Sequence, residues 1–386
     1  MTEVLLSVGA DPATPQEVSR TFGLNKNLTW KVSKIVQAGD PYSAYPHLPG
    51  TGGMEILLRA LAKAGAPERL IRDCRRALGE FEDMVSTHAG DRGTLELLLD
   101  SLAEGGLSSR PLEISRKLAF RGNCGIWGIH ASTRLTTFFL APNAEDPSRA
   151  DAVFLTGLIR LRRFRPDATL PLIQRQLVDD RGHQLPLPEE VAIDPAYQDT
   201  PGPKLLSAFC SRPIPRFREV PIEKGVVYEL EPGPVGNTGA ADVFYASGLR
   251  AVVPVRATTE DRFGELNTLL NTPVENLQFD LFLHRDLDVR ERPQAILYGR
   301  MQGGTALPAS RRDPERLPMS ETVREISGSL NAVASPLVPR YPDICETVYR
   351  RMEWDPEAFT CHRLVMEYPP IPSSVIQRYR LPPAAD

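Results

Sequence analysis

Hydrophobic positions in the first hundred residues recur at helical spacing. Thr14-Pro15-Gln16-Glu17 has the form of a capping box with proline at the first helical position, which predicts that a helix begins there. Residues 54–64 (MEILLRALAKA) form a second helical stretch, and Pro67 opens a longer one. The longer stretch has apolar residues at spacings of three and four, namely Leu70, Ile71, Cys74, Leu78, Phe81, Met84 and Val85. Leucines 95, 98, 99 and 102 extend this helical bundle, and Gly105-Gly106 ends it.

Beyond Pro111 the pattern changes to β-branched and aromatic runs interrupted by proline and glycine, typical of short strands in an antiparallel sheet. We expect 152–163 and 170–178 to be neighbouring strands, followed by strands at 226–230, 242–255, 277–283, 294–301 and 359–368. Alternation within 277–283 predicts a strand with one strictly apolar face. Helices are predicted at 320–330 and 342–352, whereas 117–140 fits a helix in its first half and a strand at its end.

Composition limits the classes of protein that this chain can represent. Its 386 residues are 41% hydrophobic and carry a net charge of −4, so any contact with nucleic acid has to be local. The sequence has neither an apolar run of about 18 to 20 residues nor a basic, signal-like start, which argues against a membrane span and export. Five cysteines without a CxxC pair fit reduced thiols. We therefore expect a cytoplasmic protein.

Residues 14–36 (TPQEVSRTFGLNKNLTWKVSKIV) contain the parts of two helices joined by a tight turn. Val18 and Phe22 give the first helix an inner face, and Ser19 is small enough for a second helix to approach. Gly23 can adopt the positive φ of the turn, and Leu24 fills the inside of that turn. Asn25 is a suitable N-cap for the second helix.

The second helix presents a cationic surface. Leu28, Val32 and Ile35 share one face, which leaves Lys26, Asn27, Trp30, Lys31, Ser33 and Lys34 outward, and no acidic residue lies between Glu17 and Asp40. Lysines on such a surface contact phosphates, and an asparagine can read an adenine edge. An apolar residue is usual six positions after the turn glycine, where this chain has Thr29, so the helical frame is either standard or shifted by one. The alternative interpretation is an ordinary helix pair with solvated lysines, in which Trp30 covers the apolar edge.

This segment resembles the helix-turn-helix of bacterial repressors, particularly small winged regulators whose second helix opens like Gly23-Leu24-Asn25-Lys26. The resemblance covers residues 14–36 and implies binding to duplex DNA, with Lys26, Asn27, Trp30, Lys31 and Lys34 as the contact residues. A wing is doubtful, because residues 39–53 contain three prolines and no clean hairpin pattern.

An arginine-rich segment is a second candidate contact. Arg160, Arg162, Arg163 and Arg165 lie within six residues, and strand alternation would place the first two on one face and the last two on the other. Such a group could bind an anion or an acidic partner surface, but a solvated, salt-bridged strand is the preferred interpretation.

No complete catalytic or metal-binding constellation can be assembled from the sequence. Residues 284–287 (HRDL) copy the start of a kinase catalytic loop, but Glu291 stands where the magnesium-binding asparagine would be. The run 122–127 (GNCGIW) echoes a cysteine-protease motif with Ile126 at the nucleophile position. The six histidines are scattered. We therefore expect no enzyme, no cofactor and no metal site.

These patterns predict an α+β chain with three parts: a helix-turn-helix segment in 1–50, a helical bundle in 51–110, and a larger antiparallel β-rich domain with a few helices in 111–386. The predicted function is DNA binding, most simply as a transcription regulator whose C-terminal domain senses a small-molecule or protein ligand or drives assembly. We expect a homodimer, with the apolar face of 70–85 as one candidate interface and packing within the chain as the alternative. The other functional classes left open are a self-assembling structural protein and an enzyme of unidentified type.

Overall fold

The computed structural model describes residues 1–102, 109–175, 190–222, 225–258, 262–299, 312–327 and 330–383. The chain divides into two compact units, Met1–Ser108 and Ser109–Asp386. Helices form the first unit and sheets dominate the second, so the fold is α+β, as the sequence predicts. Within the described residues, no helix is long and apolar enough to cross a bilayer.

The first unit is a helical bundle around one apolar core. Its helices are α1 (Thr2–Ser7), α2 (Pro15–Phe22), α3 (Lys26–Gln37), α4 (Pro41–Ala44), α5 (Thr51–Lys63), α6 (Glu68–His88) and α7 (Arg92–Leu102). Leu57, Leu58 and Leu61 on α5 are fully buried and pack with Leu5 of α1 and Ile71 of α6. The predicted long amphipathic helix after Pro67 is therefore present as α6.

The start of α2 differs in detail from the predicted capping box. Pro15 does occupy the first turn, but the Thr14 side chain makes no cap hydrogen bond. Its hydroxyl donates instead to the carbonyl oxygen of Asp11, at 3.2 Å. The prediction of a capping box at this position is therefore wrong.

The apolar face of α6 is mostly covered within its own unit. Leu70, Cys74 and Leu78 pack against the bundle core. Phe81 lies beside the ring of Tyr45, with 6.4 Å between the centroids. Met84 remains 39% exposed. Most of the face that the sequence suggests for dimer contacts therefore stabilises the chain's own first unit.

The second unit begins with α8 (Ser109–Trp127) and continues into a large mixed sheet. The order of the strands in this sheet is β11-β12-β9-β1-β2-β7-β4. Their bounds are β1 (Ile129–Pro142), β2 (Arg149–Arg163), β4 (Glu190–Ala192), β7 (Ala241–Pro254), β9 (Val274–His284), β11 (Arg324–Ser327) and β12 (Phe359–Glu367). Neighbours pair antiparallel except β1 and β9, which run parallel. The expectation of an antiparallel domain therefore holds except for this central pair.

Two smaller sheets and one helix complete the second unit. One sheet has the order β10-β13-β8, and the other has the order β3-β6-β5. Their strands are β3 (Leu170–Arg175), β5 (Phe217–Ile222), β6 (Gly225–Leu230), β8 (Phe263–Leu270), β10 (Gln294–Tyr298) and β13 (Ser373–Arg380). Helix α9 (Tyr341–Met352) buries Tyr341, Ile344 and Tyr349 in the core cluster that also contains Leu135 and Phe139.

Two predictions for this unit are wrong. Strands β2 and β3 are not neighbours, since β3 pairs with β6. Part of 320–330 is the edge strand β11, which pairs with β12, so pairing overrides the helical pattern. Strand β9 has the predicted apolar face, and its opposite face is buried as well, with Gln278 and Asp280 fully buried. The predicted ends at 176–178 and 300–301, and the Gly105-Gly106 connection, lie outside the described residues.

Candidate nucleic-acid interface

The turn between α2 and α3 is fixed by Gly23 and Ser19. Gly23 has φ 64°, the left-handed conformation that favours glycine, and its N–H donates to the Ser19 carbonyl. The next N–H, that of Leu24, donates to the same carbonyl at 3.0 Å. The buried Ser19 hydroxyl donates back to the Leu24 carbonyl at 2.7 Å, so hydrogen bonds in both directions join Ser19 to Leu24 across the turn. Leu24 itself is 8% exposed and fills the inside of the turn.

Asn25 begins α3 as predicted. Its side-chain oxygen accepts a hydrogen bond from the Asn27 N–H at 2.8 Å, which satisfies one of the free donors of the first turn.

The buried face of α3 shows which helical frame the sequence adopts. Thr29, Val32 and Ser33 are the buried residues, whereas Leu28 and Ile35 are half-buried. Thr29 occupies the inward position six residues after Gly23, where its hydroxyl donates to the Lys26 carbonyl at 3.1 Å. The helical frame is therefore the standard one. A threonine whose hydroxyl is hydrogen-bonded to the backbone takes the place of the usual apolar residue.

Ser33 corrects the predicted outward set. It is 4% exposed and accepts a hydrogen bond from Gln37 Nε2 at 3.2 Å. In the standard frame Ser33 follows Thr29 by one turn, which places it on the inner face. It therefore does not belong to the solvent-facing surface.

The outward surface of α3 carries the five predicted contact residues. Lys26, Asn27, Trp30 and Lys34 are exposed, and Lys31 is half-buried. Lys26, Trp30 and Lys34 follow one another at four-residue intervals, so they form one row about 12 Å long at 1.5 Å per residue.

Trp30 has contacts of its own at the middle of this row. The indole is 45% exposed and meets the His47 ring edge-on, with centroids 5.3 Å apart. The Lys34 Nζ lies 5.8 Å from the indole centroid, within the range of a cation–π contact. Part of the ring thus packs on the chain, as in the ordinary-helix alternative, and part remains open to a ligand.

No hairpin follows α3 within residues 39–53, all of which the structure describes. Asp40 instead caps the short helix α4 by accepting from the N–H groups of Tyr42 and Ser43, at 2.8 and 3.0 Å. A 3-10 turn at Tyr45–His47 continues it and brings His47 to Trp30. The dipeptide Asp40-Pro41 is an N-cap followed by a first-turn proline, a sequence signal that would have predicted this helix.

The arginine-rich segment in the second unit does not converge on one point. Arg160 sits at a bulge with φ 52°, and its N–H donates to Asp242 Oδ1 at 2.7 Å. Arg162 donates from Nη1 to Asn237 Oδ1 at 2.7 Å. Arg165 lies beyond the end of β2, so the predicted two-faced alternation does not extend to it, and its Nη2 donates to the Trp127 carbonyl at 3.3 Å.

Arg163 is the buried member of that segment. It is 7% exposed and donates to the carbonyls of Ala168, at 3.2 Å, and Glu231. Burial lowers the pKa of its guanidinium. Arg163 therefore ties two chain segments together through its Nε and Nη2 donors.

Two other features bear on function. Among the described residues, no group of three or more His, Cys, Asp or Glu side chains is placed to hold a metal ion. All five cysteines are unpaired, and four of them are buried.

No protein-family model matches the chain, and no curated protein matches it in sequence.

Proposed function

We propose that the chain binds duplex DNA through the α2-turn-α3 segment, with α3 lying in the major groove. The observation that carries this proposal is the division of α3 into a buried face of Thr29, Val32 and Ser33 and an exposed row of Lys26, Trp30 and Lys34. A helix that only packed on its neighbours would need no such acid-free cationic row. The fixed turn at Gly23 supports the same proposal, because it sets the angle at which α3 is presented.

Each outward residue has a distinct role in the proposed complex. Lys26, Lys31 and Lys34 neutralise backbone phosphates, which supplies most of the affinity and no sequence preference. Asn27, at the N-terminal end of α3, pairs with the N6 and N7 edge of an adenine. The open part of Trp30 offers an apolar contact to a thymine methyl group.

The proposed biological role is that of a cytoplasmic transcription regulator whose second unit senses a ligand or drives assembly. The unpaired cysteines support a reducing compartment. Two-fold pairing would place two α3 helices roughly 34 Å apart, one turn of DNA. We therefore expect light scattering coupled to gel filtration to give an even-numbered assembly, whereas a monomer mass at micromolar concentration would contradict pairing.

A charge placed at Leu78 cannot test the interface of such a dimer. Because Leu78 packs in the bundle core, a glutamate there would unfold the unit whether or not a dimer exists. Met84 is 39% exposed on the same helix, so Met84→Glu tests α6 pairing without disturbing the core.

The DNA-binding proposal is tested with fluorescence anisotropy on a labelled random duplex at about 50 mM salt. The full chain is compared with the variant K26A/K31A/K34A and with the control K63A/R72A/R76A. The control removes the same number of positive charges from exposed sites of α5 and α6 in the same unit. We expect the α3 variant to lose most of its affinity and the control to keep it. Equal affinity in both variants would contradict the proposal.

A further inference from the structure

The second unit contains a charged cavity of about 650 Å³. It lies where β13 ends, and Leu381 and Pro382 form part of its wall. Four arginines line it, Arg256, Arg262, Arg290 and Arg380, together with two carboxylates, Asp288 and Glu291. This volume falls within the range of small-molecule sites, roughly 300 to 1,000 Å³.

The carboxylates do not balance the arginines. Arg290 is committed to Asp288 through two contacts, Nε to Oδ1 at 3.2 Å and Nη2 to Oδ2 at 3.1 Å. Arg380 lies at a looser 3.7 Å from Glu291. Within the described part of the chain, Arg256 and Arg262 form no salt bridge, and the described lining residues include two more arginines than carboxylates.

Backbone contacts hold the segments that carry these two arginines. The Ala257 N–H donates to the Pro382 carbonyl at 2.8 Å, and the Leu381 N–H donates to the Arg262 carbonyl at 3.0 Å. Arg256 and Arg262 are therefore both attached to the chain that leaves β13, and Leu381, 7% exposed, anchors that chain in the core. Both arginine residues are exposed.

We infer that this cavity binds a small molecule carrying a diphosphate group. Arg256 and Arg262 have no carboxylate partner among the described residues, although Arg256 Nη1 donates one long hydrogen bond to the Pro383 carbonyl, at 3.4 Å. Two such guanidinium groups suit two linked phosphates, because each planar fork can donate two parallel hydrogen bonds to one phosphate. Leu381 and Pro382 provide an apolar wall for the remainder of a larger ligand. This site would give the second unit a ligand-binding role separate from α3.

Isothermal titration calorimetry on the full chain tests the site with two probes, inorganic pyrophosphate and ADP, at constant ionic strength set with sodium chloride. ADP binding more tightly than pyrophosphate would show that the site also binds the organic part of a larger ligand, and equal affinities would show that it recognises the diphosphate alone. Absence of binding by both probes would overturn the inference.

Variants locate the site. R256Q/R262Q is expected to weaken binding on the order of 100-fold, because two charge-assisted contacts are lost. R256K/R262K keeps the charges and loses the forks, so an intermediate affinity is expected. The control R324Q/R350Q removes two exposed arginines outside the cavity and should leave binding unchanged. A loss in the control equal to that in R256Q/R262Q would mean general charge attraction and would overturn the site.

The lysine variant K26A/K31A/K34A separates this inference from the DNA-binding proposal. It should bind the diphosphate probes as the parent does, even if DNA binding is absent from both. Loss of probe binding in that variant would place the anion site on α3 and contradict the cavity.

Discussion

At the scale of single residues, glycines 23 and 79 have opposite conformational requirements. Gly23 has φ 64° in the turn before α3, a conformation in which a Cβ is strained. Gly79 lies inside α6, and a Cβ added there would meet nothing within 4 Å.

Gly23→Ala should therefore destabilise the first unit by about 1 kcal/mol, whereas Gly79→Ala should stabilise it by up to about 1 kcal/mol. Urea denaturation followed by far-ultraviolet circular dichroism measures both changes. The same sign for the two substitutions would contradict the description of the turn.

His130 links the stability of the second unit to pH. Its ring is 6% exposed and stacks on Phe164 with 5.1 Å between centroids. Burial, with a smaller effect from Arg162, lowers its pKa to about 4. Between about pH 6.5 and 4 the unfolded chain thus binds a proton that the folded chain does not, so the contribution of His130 to stability is complete above this window and falls as the pH falls through it.

His130→Gln removes that titration. We expect the loss of unfolding free energy between pH 7 and pH 4.5 to be about 2 kcal/mol smaller in the variant than in the parent. Urea midpoints at the two pH values give the comparison. An identical pH dependence in parent and variant would show that the imidazole titrates normally.

At the scale of elements, β9 depends on one buried ion pair. Asp280 is fully buried, and Arg363 of β12 donates to it from Nε at 3.0 Å and from Nη2 at 2.8 Å. Gln278 donates to the same carboxylate at 2.9 Å, and Ser335 in turn donates to Gln278 at 2.6 Å. This network provides hydrogen-bond partners for Gln278 and Asp280, so β9 can be buried on both faces although one of them is polar.

Removing one partner of a buried pair leaves the other charge without compensation. Asp280→Asn should therefore lower the unfolding free energy of the second unit by about 3 kcal/mol or more. Glu325→Gln, which removes the exposed partner of Arg292, should change it by less than about 1 kcal/mol. Trp354, packed 5.5 Å from Phe359 in the same core, reports both transitions by fluorescence. Similar effects from the two substitutions would contradict the role of the network.

Local patterns predict some of these elements and miss others for physical reasons. Proline and apolar periodicity are enough to place α6 and α9, because both helices are fixed by their own sequence. The pattern in 277–283 predicts a strand but not the burial of Asp280, whose partner Arg363 is 83 residues away. β11 is missed because its pairing with β12 decides its conformation.

The same limit applies to the candidate interface. Sequence is enough to place the turn at Gly23 and the cap at Asn25, both of which use local hydrogen bonds. Sequence does not resolve whether Thr29 or Leu28 faces inward. The threonine can be buried because its hydroxyl donates a hydrogen bond to the Lys26 carbonyl, within the same helix. The contact between Trp30 and His47 depends on α4, which is not visible in the hydrophobic pattern.

At the scale of the whole molecule, the chain consists of two units that meet in sequence at Ser108 and Ser109. We expect limited proteolysis to cut first within 105–111 and to release a stable fragment of the second unit. First cleavage elsewhere, or an insoluble 111–386 fragment, would indicate one continuous core.

The salt dependence of DNA binding is the most direct test of the central claim. Each phosphate neutralised by a lysine contributes about −0.9 to the slope of log affinity against log salt concentration. K26A/K31A/K34A should therefore flatten the slope by up to about 3 units relative to the full-length parent, and K63A/R72A/R76A should leave it unchanged. A parent chain that binds no duplex at about 50 mM salt, or a lysine variant with the parent's slope, would contradict recognition by α3.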